Sequence, residues 1–218
     1  MALETVELSE SEWNNIISLL EGEKLVRDKK DSGDVMDGES QTIRLRWNKA
    51  PSNYHLEPEV ELLQTLIRRL RLAYYNHRPG SDLSGGSLVY FEFYTTGTYI
   101  NAGVEYEVKD ELDWEDHPTG RKLILYKEDG VAYEDAKTAL YEEAFGEKLL
   151  AILTEHNVSA WDGFAMSDPN VLDGTSFSIS IGFEEKEKNS SAHGYMSFPP
   201  EYREVRDALE ELFREAVR

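Results

Sequence analysis

The chain has 218 residues, of which 40% are hydrophobic and 11% aromatic. That is enough for one large domain or two small ones and too much for a disordered protein. Its 43 acidic and 23 basic residues give a net charge of -20, which disfavours binding to nucleic acid and anionic membranes and favours basic partners. Because the chain has no cysteine, disulfide scaffolds, cysteine zinc sites, iron–sulfur clusters and thiol nucleophiles are excluded.

Residues 1–84 are predicted to form a helix–strand–helix portion. Ser9 and Glu12 have the spacing of a capping box, which predicts a helix over Ser9–Leu20. Apolar and polar residues alternate over Gln41–Trp47, which predicts a half-buried strand. A second helix is predicted over Pro58–Tyr75, where apolar residues recur at helical spacing.

The segment His77–Gly86 is rich in proline, glycine and serine and marks the predicted boundary with a C-terminal domain, residues 85–218. One continuous domain is the alternative. The glycines of this segment have the spacing of a phosphate-binding loop. However, Gly86 stands where that loop needs a lysine, and a predicted strand follows where it needs a helix, which argues against a nucleotide site.

Strands dominate the next part of the chain. The segments Ser87–Thr95 and Thr98–Val108 are rich in aromatic and β-branched residues, which predicts an antiparallel hairpin. A third strand is predicted over Arg121–Tyr126. The pattern also indicates a short fourth strand over Val131–Tyr133.

Helices and a second hairpin complete the predicted elements. The segment Asp135–His156 is mainly helical, and Asn157 has the position of a left-handed residue that ends a helix. The alternating strand Phe177–Phe183 is predicted to pair with Ser191–Met196. A last amphipathic helix covers Glu201–Val217.

This order of elements predicts an α+β fold. Hairpins joined by tight turns indicate an antiparallel sheet of about five to seven strands. Long amphipathic helices are then expected to pack mainly on one face of that sheet.

The most acidic stretch, DELDWED at Asp110–Asp116, is the first candidate site and is predicted to be a hydrophilic loop between strands. Clustered carboxylates can perform general acid–base chemistry or bind a cation. The candidate catalytic residues are Asp113, Asp116 and His117, with Asp110, Glu142 or Glu143 as further members. The five histidines lack the spacing of a helical metal pair, so neither a metal site nor a cofactor is predicted.

The same stretch is also a candidate docking site for a basic protein. Aromatic residues are frequent anchors in interfaces, and the surrounding carboxylates would attract a basic surface. The candidate binding residues are Trp114, Asp110 and Glu111.

The stretch WDGFAMSDPNVLDGTSFSISI, Trp161–Ile181, is interpreted as a structural motif, with a ligand site as the alternative. Asp-Pro and Asp-Gly pairs predict two chain reversals before a strand. Large apolar residues at its start are expected to be buried and to tie a helix to the sheet. The motif residues are Trp161, Phe164, Asp168, Pro169, Asp173 and Gly174.

This region also resembles a domain found in bacterial proteins of unknown function, many of which look like small lipoproteins. The residues that carry the resemblance are Asn157–Phe164, Ser167–Gly174, Phe177–Ile181, Ala192–Tyr195, Phe198–Pro199 and Tyr202. The resemblance covers about the last third of the chain and implies no known activity and no catalytic residues. The chain departs from the lipoprotein members because it has no lipobox cysteine and no signal.

The function predicted from the sequence is that of an acidic bacterial binding or interaction protein without enzymatic activity. A carboxylate- or metal-dependent hydrolase is the alternative, and an inhibitor or immunity-type protein for a basic partner is a further one. The sequence predicts no oligomeric state. It contains no signal peptide and no membrane-spanning stretch, so a cytoplasmic location is expected, with a secreted chain whose signal was removed as the alternative.

Overall fold

The computed structural model describes residues 7–21, 60–83, 85–97, 103–113, 115–128, 130–168, 171 and 173–218. They belong to two compact units, Met1–His77 and Arg78–Arg218. That residues 1–84 and 85–218 are separate domains stays a prediction. The predicted strand Gln41–Trp47, the candidate binding residue Trp114 and the motif residue Pro169 lie outside the described residues.

The first unit contains helix α1 (Glu10–Glu21) and helix α2 (Val60–His77). The predicted capping box is confirmed, because the Glu12 N–H donates to Ser9 Oγ (3.3 Å) and the Ser9 N–H donates to a Glu12 carboxylate oxygen (2.9 Å). The same carboxylate lies 2.7 Å from Nε2 of His77 at the end of α2. The hydrogen bond from the Ser9 side chain is the main reason that the pKa of Glu12 falls to about 2.

In the second unit, the described residues form one seven-stranded sheet. Its strands are β1 (Leu88–Thr95), β2 (Val104–Leu112), β3 (Pro118–Glu128), β4 (Lys137–Leu140), β5 (Ala165–Ser167), β6 (Ser176–Phe183) and β7 (Ser190–Tyr195). The order across the sheet is β4-β3-β2-β1-β6-β7-β5, and neighbouring strands are antiparallel except for the parallel pair β5 and β7.

Helices α3 (Glu143–Glu155) and α4 (Tyr202–Ala216) pack on one face of the sheet. Phe213 of α4 lies at the centre of this layer, with its ring centroid 5.1 Å from that of Tyr106 in β2 and 5.1 Å from that of Phe145 in α3. The predicted α+β fold is therefore confirmed, as are the pairing of β6 with β7 and the final helix. Asn157 has φ 51° after α3, as predicted for a residue that ends a helix.

Two predicted elements between residues 131 and 156 are wrong. The segment Val131–Tyr133 is not a strand, since a 3-10 turn occupies Tyr133–Asp135. The predicted helix Asp135–His156 instead begins with strand β4, and α3 starts only at Glu143. Four residues carry too little periodicity to reveal a strand, and here pairing with β3 determines the local structure.

Candidate binding face

The acidic stretch is part strand and part turn, which corrects the prediction of a loop. Asp110 and Glu111 belong to β2, and the chain reverses only between Asp113 and His117. One Asp113 carboxylate oxygen accepts the backbone N–H groups of Glu115 and His117, each at 2.9 Å. This aspartate is therefore bound to its own turn, a common arrangement for aspartate in tight turns.

The candidate catalytic residues Asp113, Asp116 and His117 lie in this turn, whereas Glu142 and Glu143 lie at the start of α3, where Glu142 lines a separate groove between β4, α3 and α4. His117 is 69% exposed, and its Nδ1 lies 3.6 Å from the Asp113 carboxylate and 3.7 Å from that of Glu115, beyond good hydrogen-bond distance. Asp116 has φ 61° in the turn and is exposed. Within the part of the chain that the structure describes, no three His, Asp or Glu side chains converge where they could hold a metal ion.

Of the candidate binding residues in this stretch, Glu111 already has partners inside the protein. Its carboxylate accepts hydrogen bonds from Thr119 Oγ1 (2.8 Å) and from Arg121 Nε (2.6 Å). The bond from Thr119 is the main reason that the pKa of Glu111 is lowered. Because Arg121 neutralises this carboxylate, Glu111 offers a basic partner little free charge. Asp110 is exposed at the end of β2, and Trp114 lies outside the described residues.

The start of the WDGF stretch is buried, as predicted. Trp161 is 1% exposed, and its ring centroid lies 6.4 Å from those of both Phe177 in β6 and Tyr202 in α4. Phe164 is fully buried with its ring centroid 6.0 Å from that of Phe177. These contacts join the chain after α3 to the sheet and to α4, as expected of a motif that stabilises the fold.

The loop that follows is held against β7. The Val171 N–H donates to the Asp168 carbonyl at 3.4 Å, as in a β-turn, and the Asp168 N–H donates to the Tyr195 carbonyl at 2.9 Å. The Asp173-Gly174 pair does not form a glycine turn with positive φ. Glycine is needed at position 174 for space, because a Cβ there would collide with the Met196 side chain.

The face of the sheet opposite α3 and α4 carries a different set of side chains, which we call the open face. The alternation of β1, β2, β6 and β7 places polar and tyrosine side chains on this side. Its members are Tyr90, Glu92, Tyr94, Glu105, Glu107, Lys109, Ser176, Ser178, Ser180, Ser191, His193 and Tyr195.

Two tyrosines of the central strand β1 are the main aromatic groups of the open face. Tyr90 is 42% exposed and Tyr94 is 37% exposed. Tyr90 lies opposite Gly182 of β6, and a Cβ at that glycine would collide with the tyrosine ring. The ring therefore packs directly over the glycine backbone, a close approach that only glycine permits.

Glu92 lies between these tyrosines and carries an unneutralised charge. It pairs directly across the strands with Glu107, and like charges at such positions are destabilising. Glu107 has Lys109 Nζ at 2.6 Å and accepts a hydrogen bond from the Tyr133 hydroxyl at 2.7 Å. Among the described residues, Glu92 has no hydrogen bond and no ion pair of its own.

The open face continues into a shallow groove of about 490 Å³ at its β7 end. The groove is lined by Tyr94 from β1, Ser178 from β6, and His193 and Tyr195 from β7, with Ser167 of β5 at its edge. Serine and tyrosine are the residue types that binding loops of antibodies use for adaptable hydrogen bonds and broad contact area. The groove therefore adds hydrogen-bonding groups beside the tyrosines of β1.

None of the open-face residues of β1 and β7 is among the candidates predicted from the sequence. The signal that would have found them is the run YFEFY at Tyr90–Tyr94, in which two phenylalanines mark one face and tyrosine, glutamate and tyrosine the other. The alternation shows which residues share a face. It does not show which face the helices leave uncovered.

Comparisons with known proteins found no relative: no family model, no curated protein and no solved structure matches the chain. The resemblance to an uncharacterised bacterial domain therefore stays a prediction. Over the residues that the structure describes, no helix combines the length and the apolar character that crossing a bilayer requires.

Proposed function

We propose that this chain is a non-enzymatic binding protein that docks a basic protein segment on the open face. The observation that supports the proposal most is the unpaired carboxylate of Glu92 between the exposed rings of Tyr90 and Tyr94. An inhibitor or immunity-type protein for a basic enzyme would use the same chemistry. The carboxylate- or metal-dependent hydrolase predicted as an alternative has its main candidates, Asp113, Asp116 and His117, in an exposed turn.

The tyrosines provide the anchoring area of this face. Tyrosine buries a large rigid ring at low entropic cost and is enriched among residues that contribute most to binding. Because Tyr90 lies over Gly182, one face of its ring is directed away from the sheet. An arginine or lysine placed over that ring would gain a cation–π interaction.

Electrostatics favours the same kind of partner. The net charge of -20 steers a basic protein towards the chain, and Glu92 provides a specific charge at the centre of the open face. Its cross-strand neighbour Glu107 already has Lys109 as an ion-pair partner, so Glu92 is the carboxylate of this pair that a guanidinium could bind. A basic partner would therefore supply the ion pair that Glu92 lacks in the free protein.

The test is a titration followed by backbone amide NMR, with a short peptide of alternating arginine and serine as the probe. The control peptide carries citrulline, the neutral isostere of arginine, at each arginine position. We expect the largest shifts at the amides of β1 and β6 and no saturable binding of the citrulline peptide. Shifts confined to residues 110–117 would place the interaction on the acidic hairpin and contradict the proposal.

Two variants with the same change in charge separate a site from general attraction. Glu92→Lys acts on the open face, whereas Glu211→Lys acts on an exposed position of α4, in the layer on the other side of the sheet. We expect Glu92→Lys to weaken peptide binding by about ten-fold and Glu211→Lys by less than about two-fold. Equal weakening by the two variants would show that only the net charge attracts the peptide.

A further inference from the structure

Strand β4 forms one edge of the sheet and leaves hydrogen-bonding groups without partners. The Tyr141 N–H donates to the Lys122 carbonyl at 2.9 Å, which fixes the positions of β4 whose backbone groups point towards β3. Because this direction alternates along an antiparallel strand, the N–H and C=O groups of Thr138 and Leu140 point away from the sheet. Both residues are exposed, and no described residue pairs with these groups.

Apolar side chains lie on both sides of the sheet at this edge. Leu140 is 53% exposed, on the side of the sheet opposite α3 and α4. On the helix side, a groove of about 520 Å³ lies between β4, α3 and α4, with Ala139 and Phe145 in its lining. The charged residues in the lining, from the same two helices and the preceding loop, are Glu142, Lys148 and Glu215.

We infer that two copies of this chain associate by pairing their β4 strands antiparallel, which joins the two sheets into one. A two-fold axis at Ala139 puts Thr138 of one copy opposite Leu140 of the other. In this register the outward-pointing N–H and C=O groups of Thr138 and Leu140 become hydrogen-bonded in both copies. The axis passes between two alanines, whose short side chains both point to the helix side of the joined sheet. The inference is independent of the proposed function of the open face.

The lysine of β4 gains an aromatic neighbour under this symmetry. Lys137 lies with its Nζ 5.9 Å from the Tyr126 ring centroid, on the helix side of the sheet. The register puts Lys137 opposite Tyr141 of the second copy, where its ammonium can contact a second aromatic ring. The groove beside β4 also contains both signs of charge, from Lys148, Glu142 and Glu215.

Other features of the chain limit the strength of the association. Strand β4 has only four residues, and short edge strands with lysine are one way in which proteins restrain edge pairing. Each copy carries a net charge of -20, so the copies repel each other. Salt screens this repulsion over about 8 Å at physiological ionic strength, so the dimer is expected to strengthen as salt is raised.

The absence of cysteine makes a direct test possible. In the Ala139→Cys variant of the full chain the two thiols lie on the axis, where Cα atoms of a directly opposed pair that does not exchange hydrogen bonds are about 4.5 Å apart. That separation suits a disulfide. We expect oxidation to give a covalent dimer, whereas Glu187→Cys, at an exposed turn residue, stays largely monomeric. Non-reducing electrophoresis measures both.

A second pair of variants shows whether the edge hydrogen bonds are responsible. Leu140→Pro removes an outward-pointing N–H without removing a bond to β3, and Leu140→Val keeps that N–H. Circular dichroism and thermal melting establish that both variants fold. In sedimentation equilibrium we expect Leu140→Val to dimerise like the original chain and Leu140→Pro to weaken the dimer by at least about ten-fold.

The following results would overturn the inference. A monomeric original chain at millimolar concentration and high salt would show that β4 does not pair. Equal dimerisation of Leu140→Pro and Leu140→Val would place the interface elsewhere, and so would equal cross-linking of Ala139→Cys and Glu187→Cys. The Glu92→Lys variant is expected to dimerise normally, so failure of the open-face proposal and failure of this one are distinguishable.

Discussion

The two faces of the sheet use alternate residues of the same strands for different purposes. On the helix side, Phe91 and Phe93 of β1 are buried, and Phe91 stacks with Phe213 of α4 at a centroid distance of 5.8 Å. On the open face, Tyr90 and Tyr94 of the same strand are exposed. Both faces are aromatic, but the tyrosines of the open face are exposed and have the carboxylate of Glu92 between them, without a partner among the described residues. The helix side therefore accounts for stability, and the open face is where the proposed binding would take place.

The two stretches that stand out in the sequence have structural roles. The WDGF stretch belongs to the helix side, where Trp161 and Phe164 complete the core. The acidic stretch around residue 113 forms a hairpin turn held by the Asp113 side chain. Conspicuous residues thus serve packing and turn formation, whereas the proposed binding face consists of ordinary strand residues.

The largest expected effect is the loss of a core aromatic group compared with an open-face one. Trp161→Ala is expected to lower the free energy of unfolding by roughly 3–5 kcal/mol, because a large ring with 1% exposure leaves a cavity. Tyr94→Ala is expected to lower it by only about 1 kcal/mol, because this partly exposed ring contributes mainly its preference for a central strand. Urea denaturation monitored by circular dichroism measures both.

The binding assay should show the opposite order. Tyr94→Ala is expected to weaken binding of the arginine peptide, whereas Trp161→Ala, measured where it is folded, should leave it unchanged. An unchanged denaturation midpoint for Trp161→Ala would show that the WDGF stretch is not a stabilising motif. A loss of several kcal/mol for Tyr94→Ala would remove the distinction between the two faces.

A somewhat smaller effect is expected at alkaline pH from the helix side. Burial raises the pKa of Tyr202 to about 12, with Arg206 and Asp207 as lesser influences. The folded protein therefore keeps this proton where the unfolded chain, with an ordinary tyrosine pKa of about 10, loses it. The associated stability is complete below pH 10 and falls as the pH rises to about 12, by about 2 kcal/mol.

The control for this pH dependence is Tyr202→Phe, which keeps the ring among Phe177, Phe198 and Trp161 but has no proton to lose. Its unfolding free energy should fall less steeply between pH 10 and pH 12 than that of the original chain. Urea denaturation at several pH values measures the slopes. Identical slopes for the two proteins would show that Tyr202 does not titrate as its burial requires.

Local sequence patterns were sufficient for much of this fold. The Ser9–Glu12 capping box, the alternation of Phe177–Phe183 and the stripe of α4 each depend on residues close in the chain, and each is confirmed. Hairpins then follow from strands joined by tight turns. The α+β class could be predicted because these local elements leave few ways to cover an antiparallel sheet.

Features that depend on distant pairing could not be predicted. Strand β4 forms because its backbone pairs with β3, although the sequence predicts that Lys137–Leu140 belongs to a helix. Likewise, Glu92 has no ion pair among the described residues because its cross-strand neighbour is Glu107, and the lysine near both, Lys109, pairs with Glu107. The sequence did not reveal the candidate site for this reason. Its properties depend on which residues are neighbours across the strands and on which face of the sheet the helices cover.

The smallest expected effect tests whether a polar atom on the helix side of the sheet is tolerated. Tyr106 is fully buried between the rings of Phe93, Tyr126 and Phe213, and its hydroxyl has no hydrogen-bond partner among the described residues. Burial also raises its pKa. An unsatisfied buried hydroxyl costs free energy, so Tyr106→Phe is expected to stabilise the protein by about 1 kcal/mol.

The matched variant is Tyr126→Phe, which makes the same chemical change to a neighbouring buried ring. The Tyr126 hydroxyl donates to Glu128 at 2.9 Å and accepts from Arg214 Nε at 3.1 Å, so its removal leaves both groups without that partner. We expect this variant to lose about 1 kcal/mol, the opposite sign to Tyr106→Phe. Urea midpoints with unchanged slopes measure the pair. Destabilisation of similar size in both variants would show that the Tyr106 hydroxyl has a partner in solution.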